Sequence, residues 1–161
     1  MSSKEYSPEK LALVKEICEK CGGKCCKLGG AEFTKSDRDK VLSAGHPNHF
    51  RKISEDHYET KTKEGICAYL TKENLCSIQE LKPKMCWAWP VNLDYKKHTK
   101  VFQLMLCPLT PFITEKEIKL MKKQIEGYEE DVIFGNFSKM KDSEVKKVMG
   151  RYYKYKKKVL D

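Results

Sequence analysis

The eight cysteines are the residues of this chain whose type and spacing point most directly to chemistry. Four lie in one dense run, CEKCGGKCC at 18–26, and four single cysteines follow it. Thiolates two and three residues apart can converge on a zinc ion or an iron–sulfur cluster. The sequence therefore predicts a metal centre with these candidate ligands: Cys18, Cys21, Cys25, Cys26, Cys67, Cys76, Cys86 and Cys107.

The spacing leaves two kinds of metal centre open. Cys18 and Cys21 form one Cys-x2-Cys pair of the kind that binds structural zinc, but no second such pair follows. The adjacent Cys25 and Cys26 fit poorly around one small ion, whereas they can reach different irons of a cluster, or one can serve a second site. We therefore prefer an iron–sulfur cluster as the cofactor and keep zinc as the alternative.

The cysteines could instead form disulfides. The first residues, MSSKEYSPEKLALVKE, lack the apolar segment of a secretory signal. No apolar run reaches the roughly 20 residues that a membrane-spanning helix needs. We therefore expect a cytoplasmic protein with no membrane contact, in which thiols stay reduced and free to bind metal.

Short elements must position these cysteines. A helix is predicted over 8–20, because Ser7 is a suitable N-cap and Pro8 suits the first helical position. It carries the first cysteine close to its C-terminal end, where two glycines break it. The following stretch predicts three further segments: a helix over 34–44, a loop over 46–56 and an exposed strand over 57–63.

Two hairpins are predicted in the middle of the chain. One pairs 66–70 with 75–78 across a polar turn, which would bring Cys67 and Cys76 together. The other turns around 96–98 and leads into the last cysteine. The remaining segments are predicted to be helical: a single turn over 79–82, a helix that begins at Thr114 with a capping box, and a helix over about 141–159.

Together these elements predict an α+β fold built as a single small domain over 1–161. A cysteine-rich core of short strands and loops would occupy about 15–110. Helices would flank it on both sides, one near the N-terminus and a helical C-terminal part over about 114–160.

The order of the cysteine blocks resembles the YkgJ-type cysteine-cluster family of zinc- or iron-chelating proteins. The first block is CEKCGGKCC, followed by a polar helix. The second block has these parts in order: Cys67-Ala-Tyr-Leu, Cys76-Ser-Ile, Lys82-Pro83, Cys86 and Trp89-Pro90. The resemblance covers about 15–110 and implies metal or cluster binding.

The chain departs from that family at two points. Lys82 stands where the family has an arginine, and Trp87-Ala-Trp89-Pro90 stands where the family has Arg-x-Phe-Pro. An arginine that could pair with a cluster or a substrate is therefore absent from these positions.

Three functions follow from these observations. The first is a metal-binding cysteine-cluster protein, preferably holding an iron–sulfur cluster, with a redox, structural or metal-handling role. We expect a redox or client protein as its partner. A more distant resemblance to the cysteine block of the flagellin lysine methylases implies a protein lysine methyltransferase or its accessory. The third is a zinc-stabilised module that binds nucleic acid or protein. No phosphate loop, nucleophile elbow or paired-carboxylate motif identifies catalytic residues.

The basic charge of the chain bears on the third function. The net charge is +9, and the tail Arg151-Tyr-Tyr-Lys-Tyr-Lys-Lys-Lys alternates cations with aromatic rings. Such a tail can contact phosphates and stack on bases. We favour the simpler interpretation, a helix end with packed tyrosines and solvated lysines.

Overall fold

The computed structural model describes residues 5–160, apart from the side chain of Asn136. The α-helices are α1 Pro8–Cys21, α2 Lys35–Ser43, α3 Lys84–Trp87, α4 Glu115–Ile125, α5 Glu130–Phe134 and α6 Asp142–Lys154. The strands are β1 Glu32–Thr34, β2 Phe50–Lys52, β3 His57–Thr60, β4 Thr62–Lys63, β5 Ile66–Cys67, β6 Val91–Lys96, β7 Thr99–Met105 and β8 Lys157–Val159. Short 3₁₀ turns span Lys24–Lys27, Gln79–Leu81, Thr110–Phe112 and Gly135–Lys139. The predicted α+β class is confirmed.

Three predicted helix starts are confirmed, because each depends on a local cap. The hydroxyl of Ser7 accepts from the N–H of Lys10 at the start of α1. Thr34 caps α2 in the same way. Thr114 and Glu117 form a reciprocal capping box at α4.

The first sheet corrects two predictions. Its order is β1-β3-β2, so the predicted loop over 46–56 contains the strand β2. The predicted strand over 57–63 is not exposed: β3 is the central strand, ends at Thr60 and is mostly buried. Both faces of β3 are covered, since Tyr58 packs into an aromatic core and Glu59 faces the Gly135–Lys139 turn.

The first predicted hairpin forms only in part. β5 pairs with β4, and the connection between the two predicted strands is the single bridge Leu70↔Cys76. Leu70 donates its N–H to the carbonyl of Cys67, so the chain turns just after that cysteine and cannot continue as a strand. The two cysteines nevertheless come close enough for their charges to interact.

The second predicted hairpin is confirmed, and its sheet gains an unpredicted strand. β6 pairs with β7 through a turn in which Lys97 and His98 have φ values of 51° and 66°. The predicted helix over 141–159 ends at Lys154, because Tyr155 is extended. The following residues form β8, which pairs with β7.

Two separate hydrophobic clusters lie on either side of the cysteines. The first includes Trp87, Leu104 and Met121, with Cys18 and Cys107 packed against it. The second contains these residues: Phe33, Val41, Phe50, Tyr58, Tyr69 and Ile78, with Cys67 and Cys76 packed against it. The cysteines therefore occupy the junction of the two clusters. None of the helices formed by residues 5–160 is long and apolar enough to span a bilayer.

Candidate metal centre

The end of α1 brings the four cysteines of the dense run together. Gly22 caps the helix with φ 86°, and Gly23 follows with φ 63°. Two successive left-handed residues favour glycine, and they reverse the chain at this point. The 3₁₀ turn Lys24–Lys27 then runs back beside the helix end, so that Cys25 and Cys26 return towards Cys18.

The four single cysteines come from four further segments. Cys67 ends β5, and Cys76 lies in the bridge with Leu70. Cys86 lies in α3, a helix too short to have been predicted. Cys107 follows β7, where its N–H donates to the hydroxyl oxygen of Thr110 over 3.0 Å.

The structure brings all eight predicted ligands into one electrostatic neighbourhood. All eight lie within the described residues, and each is a free, partly buried thiol. The charge of Cys25 raises the pKa of five other thiols, which shows that they lie close to it. These are Cys18, Cys26, Cys67, Cys76 and Cys86. On the other side, the charges of Cys21 and Cys107 act on Cys18. Cys25 thus stands between two groups of thiols.

The thiols are near one another without forming a finished coordination site. Over residues 5–160, no group of three or more His, Cys, Asp or Glu side chains is arranged to hold a metal ion. The donor chemistry does fit, because soft thiolates select zinc and iron–sulfur clusters. Binding therefore requires these side chains to move together from the positions seen here.

The protonation of the thiols depends on burial and on one close pair. The Cys26 thiol donates to the Cys25 sulfur, which lowers the pKa of Cys25 to about 7. The same bond, together with burial, raises the pKa of Cys26. Burial also raises the pKa of Cys67, Cys76 and Cys86. Cys25 is therefore the thiol of this pair that ionises first, and a bound cation must displace the protons of the buried thiols around it.

Lys82 supplies a positive charge beside several of the thiols. Burial raises the pKa of Cys18, Cys76 and Cys86, and the ammonium of Lys82 partly offsets that rise at all three. The same ammonium lies 5.2 Å from the ring centroid of Trp87. Lys82 therefore provides a cation, although the sequence analysis noted only that an arginine was absent from this position.

Arg151 ties two cysteine segments together, a role that the sequence did not reveal. Its Nη1 donates to the carbonyl of Lys27 over 3.0 Å and to that of Glu64 over 2.8 Å. These carbonyls lie one residue after Cys26 and three before Cys67. The apolar face of the last predicted helix was the only available signal, because it required a packing partner.

Close packing brings α6 onto the β4–β5 turn. A side chain at Gly65 would collide with Val148, and its φ of 78° also favours glycine. The hydroxyl of Thr62 donates to Glu144 over 2.6 Å. Two residues of the tail, Arg151 and Tyr152, are thus part of the folded structure.

Tyr155 approaches the centre from the same end of the chain. Burial raises the pKa of its hydroxyl, and the nearby charges of Cys107 and Cys21 raise it further. Its ring packs edge-on against Trp89, with centroids 5.6 Å apart. Tyr155 therefore lies beside Cys107 and helps to exclude water from this side of the centre.

The comparison with known families agrees with this arrangement of cysteines. The sequence model of the CxxCxxCC family, described as "putative zinc- or iron-chelating domain", matches residues 17–124. Searches of curated proteins and of solved structures gave no significant match. The matched range covers more than half of the chain and includes all eight cysteines. The chain therefore belongs to the CxxCxxCC family of zinc- or iron-chelating domains.

Proposed function

We propose that the eight cysteines hold an iron–sulfur cluster with a redox, structural or metal-handling role. Family membership supports zinc or iron binding. The number of thiols around Cys25 supports a cluster over a zinc ion. Five thiols lie close to Cys25, which is more than the four ligands that a tetrahedral zinc ion takes. A cluster of several irons uses thiolates spread over a larger volume.

The residues around the thiols suit such a group. A bound cluster supplies one-electron transfer or a rigid cross-link. Lys82 offsets the negative charge of the assembled thiolates, and the Thr110 hydroxyl donates to the sulfur of Cys107 over 3.5 Å. Trp87 is buried and packs beside Lys82, which keeps water away from this side. Charge, hydrogen bonds to sulfur and burial are the features that set the potential of a cluster.

The test is the metal and sulfide content of protein purified without oxygen. We expect iron, acid-labile sulfide and a brown absorption band near about 400 nm. Cys25→Ser and Cys67→Ser should lose iron, because each removes a thiol from a different segment of the centre. Lys72→Ser, in the exposed turn between Cys67 and Cys76, is the control and should keep it.

The possible outcomes separate the alternatives. Zinc in stoichiometric amount, with neither sulfide nor colour, would replace the cluster by a zinc site. Unchanged iron in both cysteine variants would overturn the ligand assignment. The contacts of Arg151 and Tyr152 support a structural tail, so they do not favour nucleic-acid binding. No contact in the described part of the chain favours methyl transfer.

A further inference from the structure

A cavity of about 400 Å³ runs from the cysteines along the side of β6. Its volume lies within the range of small-molecule sites. Five cysteines are among the residues that line it: Cys25, Cys26, Cys67, Cys76 and Cys86. The lining also includes Asp94 and Tyr153, which belong to segments without cysteines. The cavity is therefore bounded by more than the candidate metal ligands.

The outer wall of the cavity comes from the part of the chain that follows the family match. That match ends at residue 124. Ile133, Phe134 and Phe137 line the cavity from α5 and the turn after it, and Met149 and Tyr153 line it from α6. Metal binding by the matched region does not account for this wall.

Several aromatic rings line the cavity. Phe33 contributes from β1. The rings of Phe134 and Phe137 stack on each other with an interplanar angle of 27° and centroids 6.3 Å apart. Phe134 remains 37% exposed and Tyr153 71% exposed, so large apolar surface at the wall is left in water. A wall that offers several aromatic rings among its apolar side chains favours an aromatic guest, because such rings pair by offset stacking or edge-to-face contact.

The charged side chains of the wall are already engaged within the protein. Asp94 accepts from the Tyr152 hydroxyl over 3.0 Å and pairs with Lys96 over 2.9 Å. The ammonium of Lys82 interacts with the thiol of Cys86 and with the ring of Trp87. Glu32 also has an interaction partner. A charged ligand would have to break one of these pairs, so the wall favours an uncharged one.

We propose that this cavity binds an uncharged aromatic small molecule between the helical C-terminal part and the cysteine centre. The site does not depend on which metal the cysteines hold. It adds a ligand site to a metal-binding protein and places that ligand next to the thiols.

The experiment is a fluorescence titration of the metal-loaded protein with N-phenyl-1-naphthylamine, an uncharged aromatic probe. We expect saturable binding of one probe per chain. The same titration with 8-anilinonaphthalene-1-sulfonate tests the charge, since this probe adds a sulfonate to the same ring skeleton. Binding of the anionic probe should be at least about tenfold weaker.

Variants of the wall test the location. Met149→Trp fills the cavity and Phe137→Ala removes one ring, and each should weaken binding of the neutral probe at least about tenfold. Phe112→Ala is the control, because Phe112 is exposed at 48% and does not line the cavity. Thermal unfolding and metal content are measured on every sample to show that the variants are folded.

Two results would overturn the proposal. One is equal binding of the neutral probe by the wild type and by folded Met149→Trp. The other is tighter binding of the sulfonate at this site, judged by its loss in the same variant. If purified protein contains no iron and still binds the neutral probe, the ligand site is supported and the proposed iron–sulfur cluster is rejected.

Discussion

At the scale of single residues, Lys82 shows how one charge can prepare several thiols. Its ammonium acts on Cys18, Cys25, Cys76 and Cys86, which come from three separate segments of the chain. Thiolates are the form that binds metal, so a cation that favours them increases metal affinity. Lys82 therefore supplies a cation to several thiols of the centre at once.

Lys82→Met keeps the length of the side chain and removes its charge. We expect metal affinity to fall by about tenfold or more, as for other residues that support metal ligands. Competition with a chromophoric chelator measures the affinity. Lys82→Arg is the matched control and should retain most of it. Equal affinities for the methionine and arginine variants would show that the charge has no such role.

Glu59 is a buried carboxylate whose effect on the free energy of folding depends on pH. Its side chain is fully buried, and neither carboxylate oxygen has a hydrogen-bond partner among residues 5–160. The Nε2 atom of His57 lies 3.5 Å from Oε1. Burial raises the pKa of Glu59 to about 7 from an ordinary value of 4.5. The folded protein therefore prefers the protonated acid.

Stability should consequently fall as pH rises. Because the folded pKa exceeds the unfolded one, the contribution of Glu59 is fully present below 4.5 and is lost as pH rises through about 7. Glu59→Gln should be more stable than the wild type at about pH 8, by about 2–3 kcal/mol, and this gain should vanish near about pH 4. Urea unfolding at both pH values measures it.

The exposed Glu55 provides the control for that experiment. It lies in the connection between β2 and β3 and pairs with Lys52 at the surface. Glu55→Gln should not reproduce the pH-dependent gain, because its carboxylate is solvated. A gain for Glu59→Gln that is the same at both pH values would contradict the assignment.

At the scale of elements, α6 acts as a brace across the cysteine segments. Arg151 bonds to carbonyls beside two of them, and Lys147 pairs with Glu64 over 3.0 Å. The surface pair contributes little, whereas the part-buried guanidinium carries the attachment. The brace thus depends on one side chain.

Arg151→Met should destabilise the fold by about 2–3 kcal/mol, because it removes two hydrogen bonds from a charged donor. It should also lower metal content, since the segments of Cys26 and Cys67 are no longer tied. Urea unfolding and metal analysis measure the two effects. Lys154→Met, on the exposed part of the same helix, should change neither. If Arg151→Met and Lys154→Met have the same stability and metal content, Arg151 does not hold the cysteine segments together.

Local signals predicted most elements, and long-range contacts account for the rest. Ser7, Thr34 and Thr114 are caps, and a cap is visible within four residues of sequence. The strands β2 and β8 were not predicted, because each forms only by pairing with a partner strand. For the site, the cysteines were visible from their spacing. Arg151 and Tyr155 were not, since they reach the centre from the far end of the chain.

At the scale of the whole molecule, the cysteines join two hydrophobic clusters. Cys18 and Cys107 pack against one cluster, and Cys67 and Cys76 against the other. A metal bound across this junction would cross-link the clusters and make them unfold together. Metal binding would then contribute directly to the free energy of folding.

Removal of the metal should therefore lower the melting temperature and broaden the transition. Scanning calorimetry before and after chelation measures both quantities, and return of the metal should reverse them. Cys67→Ser, which lacks a thiol on one side of the junction, should respond little to the chelator. Identical transitions with and without metal would show that the two clusters are coupled by packing alone.

The reach of α6 back to the dense cysteine run has a consequence for biosynthesis. A growing chain exposes Cys18 to Cys107 before Arg151 and Tyr155 have been translated. Until then the hydrogen bonds to the carbonyls of Lys27 and Glu64 and the contact of the Tyr155 ring with Trp89 do not exist. The nascent thiols are therefore open to oxidants and to competing ions, and the centre is completed only late in translation.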